Sequence, residues 1–331
     1  MNVGLSQAIG RTPLIELRAL SARIGRRIFG KAEFLNPGGS VKDRAAKWIV
    51  DAAEASGALA AGGTIVEGTA GSTGISLSLL ANERGYRSVI FVPDDQSPEK
   101  IALLRTFDAD VRVVPALPFT NAQNYYHLAR AFAEQTPGAM WADQFENTAN
   151  RQAHIESTGP EILRQTAGDI DAFVAAAGTG GTLAGTAIAL KERKPEVLAV
   201  LCDPMGSALF AYVNDGELRA QGESELEGIG IKRITANFAG APIDRAIRVE
   251  DRDAIAMTHW LLAHEGLFVG GSTGLNVVGA ARIAMSLPEG STVVTVLCDG
   301  GQRYSSRLFD TSWLEEHGLR PGEDGLAFLE R

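Results

Sequence analysis

Along the chain, short unbroken runs of apolar, mostly β-branched residues alternate with longer stretches in which apolar positions recur every three or four residues. The short runs are TIVEG from 64, SVIFVP from 88, VRVVP from 111, AFVAAAG from 172, VLAVLCD from 197, LFVGG from 267 and VVTVLCD from 293. Apolarity without alternation is what a strand covered on both faces requires, so each run is predicted to be an interior strand. Helices are predicted between them over 41–57, 73–84, 97–107, 121–135, 149–166, 181–192, 251–265 and 275–286. Strands alternating with helices of this length make βαβ units and parallel sheets, an α/β fold.

Length and composition narrow this further. A chain of 331 residues exceeds the usual single-domain size, which leaves two domains or one large α/β unit. Hydrophobic residues at 45% and charged residues at 21% exclude a disordered chain. No apolar run approaches the roughly 20 residues that span a bilayer, so no membrane partner is expected. The start, MNVGLSQAIGRTPLIEL, lacks the basic flank and continuous apolar stretch of a secretory signal, giving the expectation of a cytoplasmic protein. The net charge of -9 is spread over short alternations, which argues against nucleic acid. Cys202 and Cys298 each end an apolar run and read as small core residues. The five histidines show no ligand spacing, so no metal is expected.

Three glycine-rich turns stand at the carboxyl ends of predicted strands: EGTAGSTG at 67–74, GTGGT at 178–182 and GGSTG at 270–274. That edge of an open parallel sheet is where ligands bind, and backbone N–H groups at a helix start suit an anion. Singly, each turn is a tight connection that uses glycine for positive φ. Together with Lys42 in NPGGSVKDR, 36–44, they suggest a site for two anions and an amine.

The familiar nucleotide motifs fail. GTGGTLAG has Leu183 where the dinucleotide fingerprint needs its third glycine, and GRRIFGKA, which also reads as strand, has Ala32 where a P-loop needs a hydroxyl. GGSTG satisfies G-x-S-x-G, with Asp299 and His317 following in the order of a hydrolase triad. A serine hydrolase using Ser272 is therefore the rival class, although it leaves Lys42 and the other two turns unused.

PGGSVKDR resembles, at every position, the Schiff-base lysine motif of fold-type II pyridoxal-phosphate enzymes, the tryptophan synthase β-like fold, and specifically of the cysteine synthase and cystathionine β-synthase family. The resemblance implies pyridoxal 5'-phosphate on Lys42. GTGGT is similar to the family's phosphate-cradling loop, here Gly178, Thr179, Gly180, Gly181 and Thr182. DQFEN, 143–147, matches a segment whose glutamine, Gln144, lies near the substrate carboxylate; EGIGI resembles the glycine loop beside the substrate, here Gly228; in GGSTG the serine, Ser272, meets the pyridine nitrogen. The substrate loop is Thr69, Ala70, Gly71, Ser72 and Thr73, and it departs from the common TSGNTG pattern. Ser72 stands where the family has an asparagine bonded to the cofactor's 3'-oxygen, and it is too short to replace that amide directly.

The resemblance further implies two α/β domains: a smaller, mobile one at 43–148 carrying the substrate-carboxylate loop, and a larger cofactor-binding one from 1–42 plus 149–331. It implies β-elimination or β-replacement on a serine- or cysteine-type amino acid, with Lys42 as Cα base. The neutral Ser272 hydroxyl opposite the ring nitrogen favours elimination over transamination. Synthesis of L-cysteine from O-acetylserine and sulfide is the leading reaction. EGTAGSTG resembles a branch that includes desulfhydrases, so L-cysteine desulfhydrase, releasing hydrogen sulfide, pyruvate and ammonia, is the alternative; a non-enzymatic regulatory homologue is a third. A homodimer and a serine acetyltransferase C-terminus as partner also follow from the resemblance. Asp43 and Arg44 read as structural groups at a helix start.

Overall fold

In chain order the strands are β1 (Leu14–Glu16), β2 (Arg27–Ala32), β3 (Thr64–Gly68), β4 (Arg87–Pro93), β5 (Asp110–Val114), β6 (Ala139–Trp141), β7 (Ala172–Ala175), β8 (Leu198–Pro204), β9 (Arg245–Val249) and β10 (Thr292–Leu297). The computed structural model, which describes residues 4–322 and 325–330, assembles them into two sheets. The larger has the order β1-β2-β10-β7-β8-β9, with β1 antiparallel at one edge and every other pairing parallel. The smaller, β5-β4-β3-β6, is parallel throughout.

Burial explains the unbroken apolar runs. All six residues of β10 and all five of β3 are buried, because helices cover both faces of each sheet. On one face of the larger sheet, Leu275, Val278 and Ile283 of the Gly271–Met285 helix pack with Val174, Val200 and Val293. On the other, Leu183 and Leu190 of the Gly181–Arg193 helix meet Phe173, Leu201 and Val294. The smaller sheet is covered by the Lys42–Ser56 and Ser72–Arg84 helices through Ile49, Val50, Leu77 and Leu80, and on the opposite face by Ala129 and Ala133 of the Tyr125–Gln135 helix.

One predicted strand does not form. LFVGG lies between a helix that ends at Glu265 and one that starts at Gly271, and of its residues only Val269 makes an isolated bridge, to Gly300. Gly266, in the left-handed conformation, caps the first helix by donating to the Leu261 carbonyl, and Leu267 donates to the same oxygen. Too little chain then remains to lay down a strand. Two helix starts also move. The predicted 275–286 helix begins at Gly271, whereas the predicted 121–135 helix begins only at Tyr125, where the Asn124 side chain accepts from the Tyr126 N–H. The predicted 149–166 helix is interrupted by a π-helical turn, His154–Thr158.

Candidate active site

Parallel pairing decides where the site lies. Because β2, β10 and β7 run side by side in one direction, they deliver their carboxyl ends to the same edge of the larger sheet. The segment after β2 leads to Lys42, that after β10 begins with Cys298 and Asp299, and that after β7 carries residues 178–182. The Val41 N–H donates to the Cys298 carbonyl at 2.9 Å, and Ser40 bridges Asp299, which pins the lysine loop against the end of β10.

Lys42 opens the Lys42–Ser56 helix and is half-buried. Desolvation pushes its ammonium below the ordinary lysine range; Cys298 and Asp299 partly oppose this, while Lys100 adds to it. The neutral amine, the nucleophilic form, is thereby favoured. Cys298, read from the sequence as a core residue, borders the site: its Sγ interacts with Ser272 and with Lys42, and burial pushes its thiol up to about 12. Cys202 is a core residue, buried with its Sγ donating to the Leu275 carbonyl.

The neighbours of Lys42 are structural. The Asp43 carboxylate accepts from the Gly38 N–H and the Ser76 hydroxyl, tying the turn before the lysine to the Ser72–Arg84 helix, and burial raises its pKa to about 6. The Arg44 guanidinium is fully buried and donates at 2.8 Å to both oxygens of Glu33 and to both of Glu161. Lys31 joins Glu161 at 2.6 Å, and the two cations hold the Glu161 carboxyl down at about 2 against the effect of its burial.

The 178–182 loop is a cradle with no room for a side chain at any of its three glycines. A Cβ on Gly178 would lie 2.5 Å from the Gly228 carbonyl oxygen, and one on Gly180, at φ 86°, would lie 2.6 Å from Phe238. The Thr179 hydroxyl is fixed by the Asn150 side-chain amide at 2.9 Å, and the Thr182 hydroxyl meets the ring of buried His154 at 3.1 Å. His154 is held neutral, chiefly by burial and then by the positive charge of Arg44. The Gly181–Arg193 helix starts here, so its unpaired N–H groups and positive dipole end converge on the cradle. A phosphate dianion fits this geometry, and with the neutral Lys42 amine the residues fit pyridoxal phosphate.

The substrate loop follows β3. Thr69 and Gly71 are buried, Ala70 and Ser72 half-buried, and the Thr69 hydroxyl accepts from the Gly71 N–H at 3.0 Å. Thr73 donates at 2.6 Å to the Gln144 side-chain carbonyl, and Gln144 donates in turn at 3.1 Å to Glu67. Glu67 carries no signal in the sequence beyond closing an apolar run. It is fully buried, and desolvation, aided by the nearby Asp143 carboxylate, pushes its pKa up to about 8. Gln144 further accepts through its backbone carbonyl from Asn150, the residue that fixes Thr179, so the substrate loop and the cradle share one network. The sequence-predicted segments therefore meet around Lys42. Arg303, Glu67 and His154, which sequence reasoning did not single out, lie among them.

The hydrolase alternative lacks its geometry. Ser272 follows no strand, so it stands on no strand-to-helix elbow, and His317 is stacked on Trp313 and bonded to that residue's carbonyl. Asp299 accepts from Tyr304 at 2.7 Å.

Comparison with known proteins agrees with this geometry. Residues 5–299 match the family model described as pyridoxal-phosphate dependent enzyme. The chain is 51% identical to cysteine synthase 1 of Emericella nidulans over 322 residues, covering 96% of this chain and 87% of that protein. Among solved structures it is similar to the O-acetylserine dependent cystathionine β-synthase from Helicobacter pylori, with a TM-score of 0.85, 35% identity and coverage of 93% and 98%. It is also similar to an O-ureido-L-serine synthase, with a TM-score of 0.86, 34% identity and full coverage of both chains.

Proposed function

This chain belongs to the pyridoxal-phosphate dependent enzymes and is cysteine synthase-like, and we propose that it replaces the β substituent of O-acetylserine by sulfide to form L-cysteine. The observation that carries the proposal is a desolvated Lys42 amine beside Ser272 and Cys298, on the same sheet edge as a glycine cradle built for a phosphate.

Bound pyridoxal phosphate supplies the electron sink that makes a Cα–H bond acidic and a β substituent labile. The protein's own residues do the rest. Backbone N–H groups of 178–182 would hold the phosphate, and the Ser272 hydroxyl would offer the ring nitrogen a neutral partner, without a charge that would fix it as a cation. Lys42 would anchor the cofactor, and its Nζ would take the Cα proton; the desolvation that favours the neutral amine suits it to act as a base. Thr69, Ala70, Gly71, Ser72 and Thr73 bind the substrate carboxylate, Gly228 borders the substrate, and Gln144 is oriented for this by Thr73 and Glu67. We read residues 43–148 as the unit that closes over the substrate. The homodimer, the cytoplasmic location and the serine acetyltransferase C-terminus rest on the resemblance alone and belong to the same proposal.

The test is to supply purified protein with O-acetylserine and sulfide, and separately with cysteine, and to assay cysteine, sulfide and pyruvate. Cysteine formed from the first mixture, abolished by Lys42→Ala, is the expected result. Sulfide and pyruvate from cysteine, with no cysteine made from O-acetylserine, would overturn it in favour of a desulfhydrase.

A further inference from the structure

Arg303 lies on the short 3-10 helix Gly301–Tyr304 and is buried, with 3% of its surface exposed. Its Nη1 donates to the Ser72 hydroxyl at 2.9 Å and its Nη2 to the Gly38 carbonyl, while Nε has no protein partner. Asp43 is the acid whose carboxyl it stabilises through space, but that carboxylate is bonded to Gly38 and Ser76 rather than to the guanidinium. A buried cation held by a carbonyl and a hydroxyl is costly, and a purely structural tie between these two loops could be made by a neutral donor.

The position of Ser72 gives the charge a use. A hydroxyl has one proton and two lone pairs. With a lone pair occupied by a charged donor, the Ser72 oxygen turns its proton away from Arg303, and that proton becomes a stronger donor because the bonds polarise one another. Ser72 is the first residue of the Ser72–Arg84 helix and the substrate-loop neighbour of Thr73, whose own hydroxyl is committed to Gln144. Its Nη2 contact to the Gly38 carbonyl anchors the guanidinium itself, in a turn whose Gly38 N–H is already held by Asp43.

Resting on the function proposed above, we propose that Arg303 is a positioning residue that holds Ser72 as a one-way hydrogen-bond donor into the cofactor site, so that the hydroxyl always presents its proton there. The assay is fluorescence titration of the cofactor-free protein with pyridoxal phosphate, together with the visible absorption maximum of the loaded protein. The variants are Arg303→Met, Ser72→Ala, the pair together, and Arg303→Met in a Ser72→Asn background, where the amide supplies its own N–H.

Arg303→Met and Ser72→Ala are each expected to raise the dissociation constant roughly tenfold and to move the absorption maximum in the same direction, as for loss of a charge-assisted hydrogen bond. The pair is expected to be no worse than either alone. In the Ser72→Asn background, Arg303→Met should change affinity less than about twofold, and Arg303→Lys should recover part of the loss while retaining the fold. Effects that multiply in the pair, or an equal loss in the Ser72→Asn background, would show that Arg303 acts without Ser72 and overturn the proposal. A wild-type protein that binds no pyridoxal phosphate and shows no visible band would instead bring down the functional reading itself, and this inference with it.

Discussion

Glu67 is the group whose environment makes the sharpest quantitative demand on the fold. It sits at the end of β3, fully buried, with its two oxygens facing the side-chain amide and backbone N–H of Gln144, and with Asp143 close enough to disfavour a second negative charge. Desolvation lifts its pKa from the ordinary 4.5 to about 8. Between those values the folded protein holds a proton that the unfolded chain has released, so stability falls as pH rises through that window and levels off above it. Each tenfold difference in proton affinity is worth about 1.36 kcal/mol, so the cost reaches roughly 3 kcal/mol at pH 7 and roughly 5 kcal/mol above pH 9, as an upper bound. Glu67→Gln keeps the shape and the acceptor for Gln144 but cannot ionise. Any change it makes in hydrogen bonding is a constant offset; the pH dependence is the signal. Urea denaturation of both proteins from pH 5 to pH 9 should show the variant gaining steadily on the wild type, with most of the gain between pH 5 and pH 8. Parallel stability curves would refute the reasoning, because they would mean that Glu67 ionises in the folded state as readily as in the unfolded one.

Two further perturbations probe the site's frame. Gly178→Ala sets a methyl 2.5 Å from the Gly228 carbonyl, so two loops of the site must separate; it is expected to cost about 1–3 kcal/mol of stability and to weaken pyridoxal-phosphate binding at least roughly tenfold, measured by fluorescence titration. Unchanged affinity would show that the cradle does not need that close approach. Arg44→Met leaves Glu33 and Glu161 buried with Lys31, on Glu161, as the one cation still paired with them among the described residues, and should cost about 3–5 kcal/mol in urea denaturation. A loss below about 1 kcal/mol, the range of an exposed pair, would mean that the network is solvated.

What could be read from the sequence divides along a physical line. The strands of both sheet interiors announce themselves because burial on both faces leaves runs in which apolar residues dominate without alternation; β10 is the clearest case, and in β3 the run survives a buried Thr64 and Glu67. β1 and β6, at three residues each, are shorter than any period can register, and β9, RAIRV, is an edge strand that carries a half-buried arginine on each face, which breaks the apolar run. LFVGG has the composition of a strand, but composition cannot report that adjoining helices consume the chain on either side. At the site, the glycine turns and Lys42 were legible because their chemistry is local: a tight turn, a helix start and an amine lie within a few residues of one another.

The residues that orient those groups have no local signature. Arg303 reaches Ser72 across 231 positions of sequence, Glu67 meets Gln144 across 77 and His154 meets Thr182 across 28. In the sequence each is an ordinary polar residue, and its role exists only once parallel pairing has brought the ends of β2, β10 and β7 to one edge of the larger sheet and those of β3 and β6 to one edge of the smaller. The same pairing explains why Cys298 reads as a core residue, packs as one, and still borders the site. It is the residue that ends the apolar run of β10, and the carboxyl end of a central parallel strand is where core gives way to site. A side chain there packs like a core residue against Asn276 on one side and meets Ser272 and Lys42 on the other. Apolar pattern and site chemistry are thus not competing readings at such a position, since the sheet that buries the strand is also what aims the residue beyond it at the ligand.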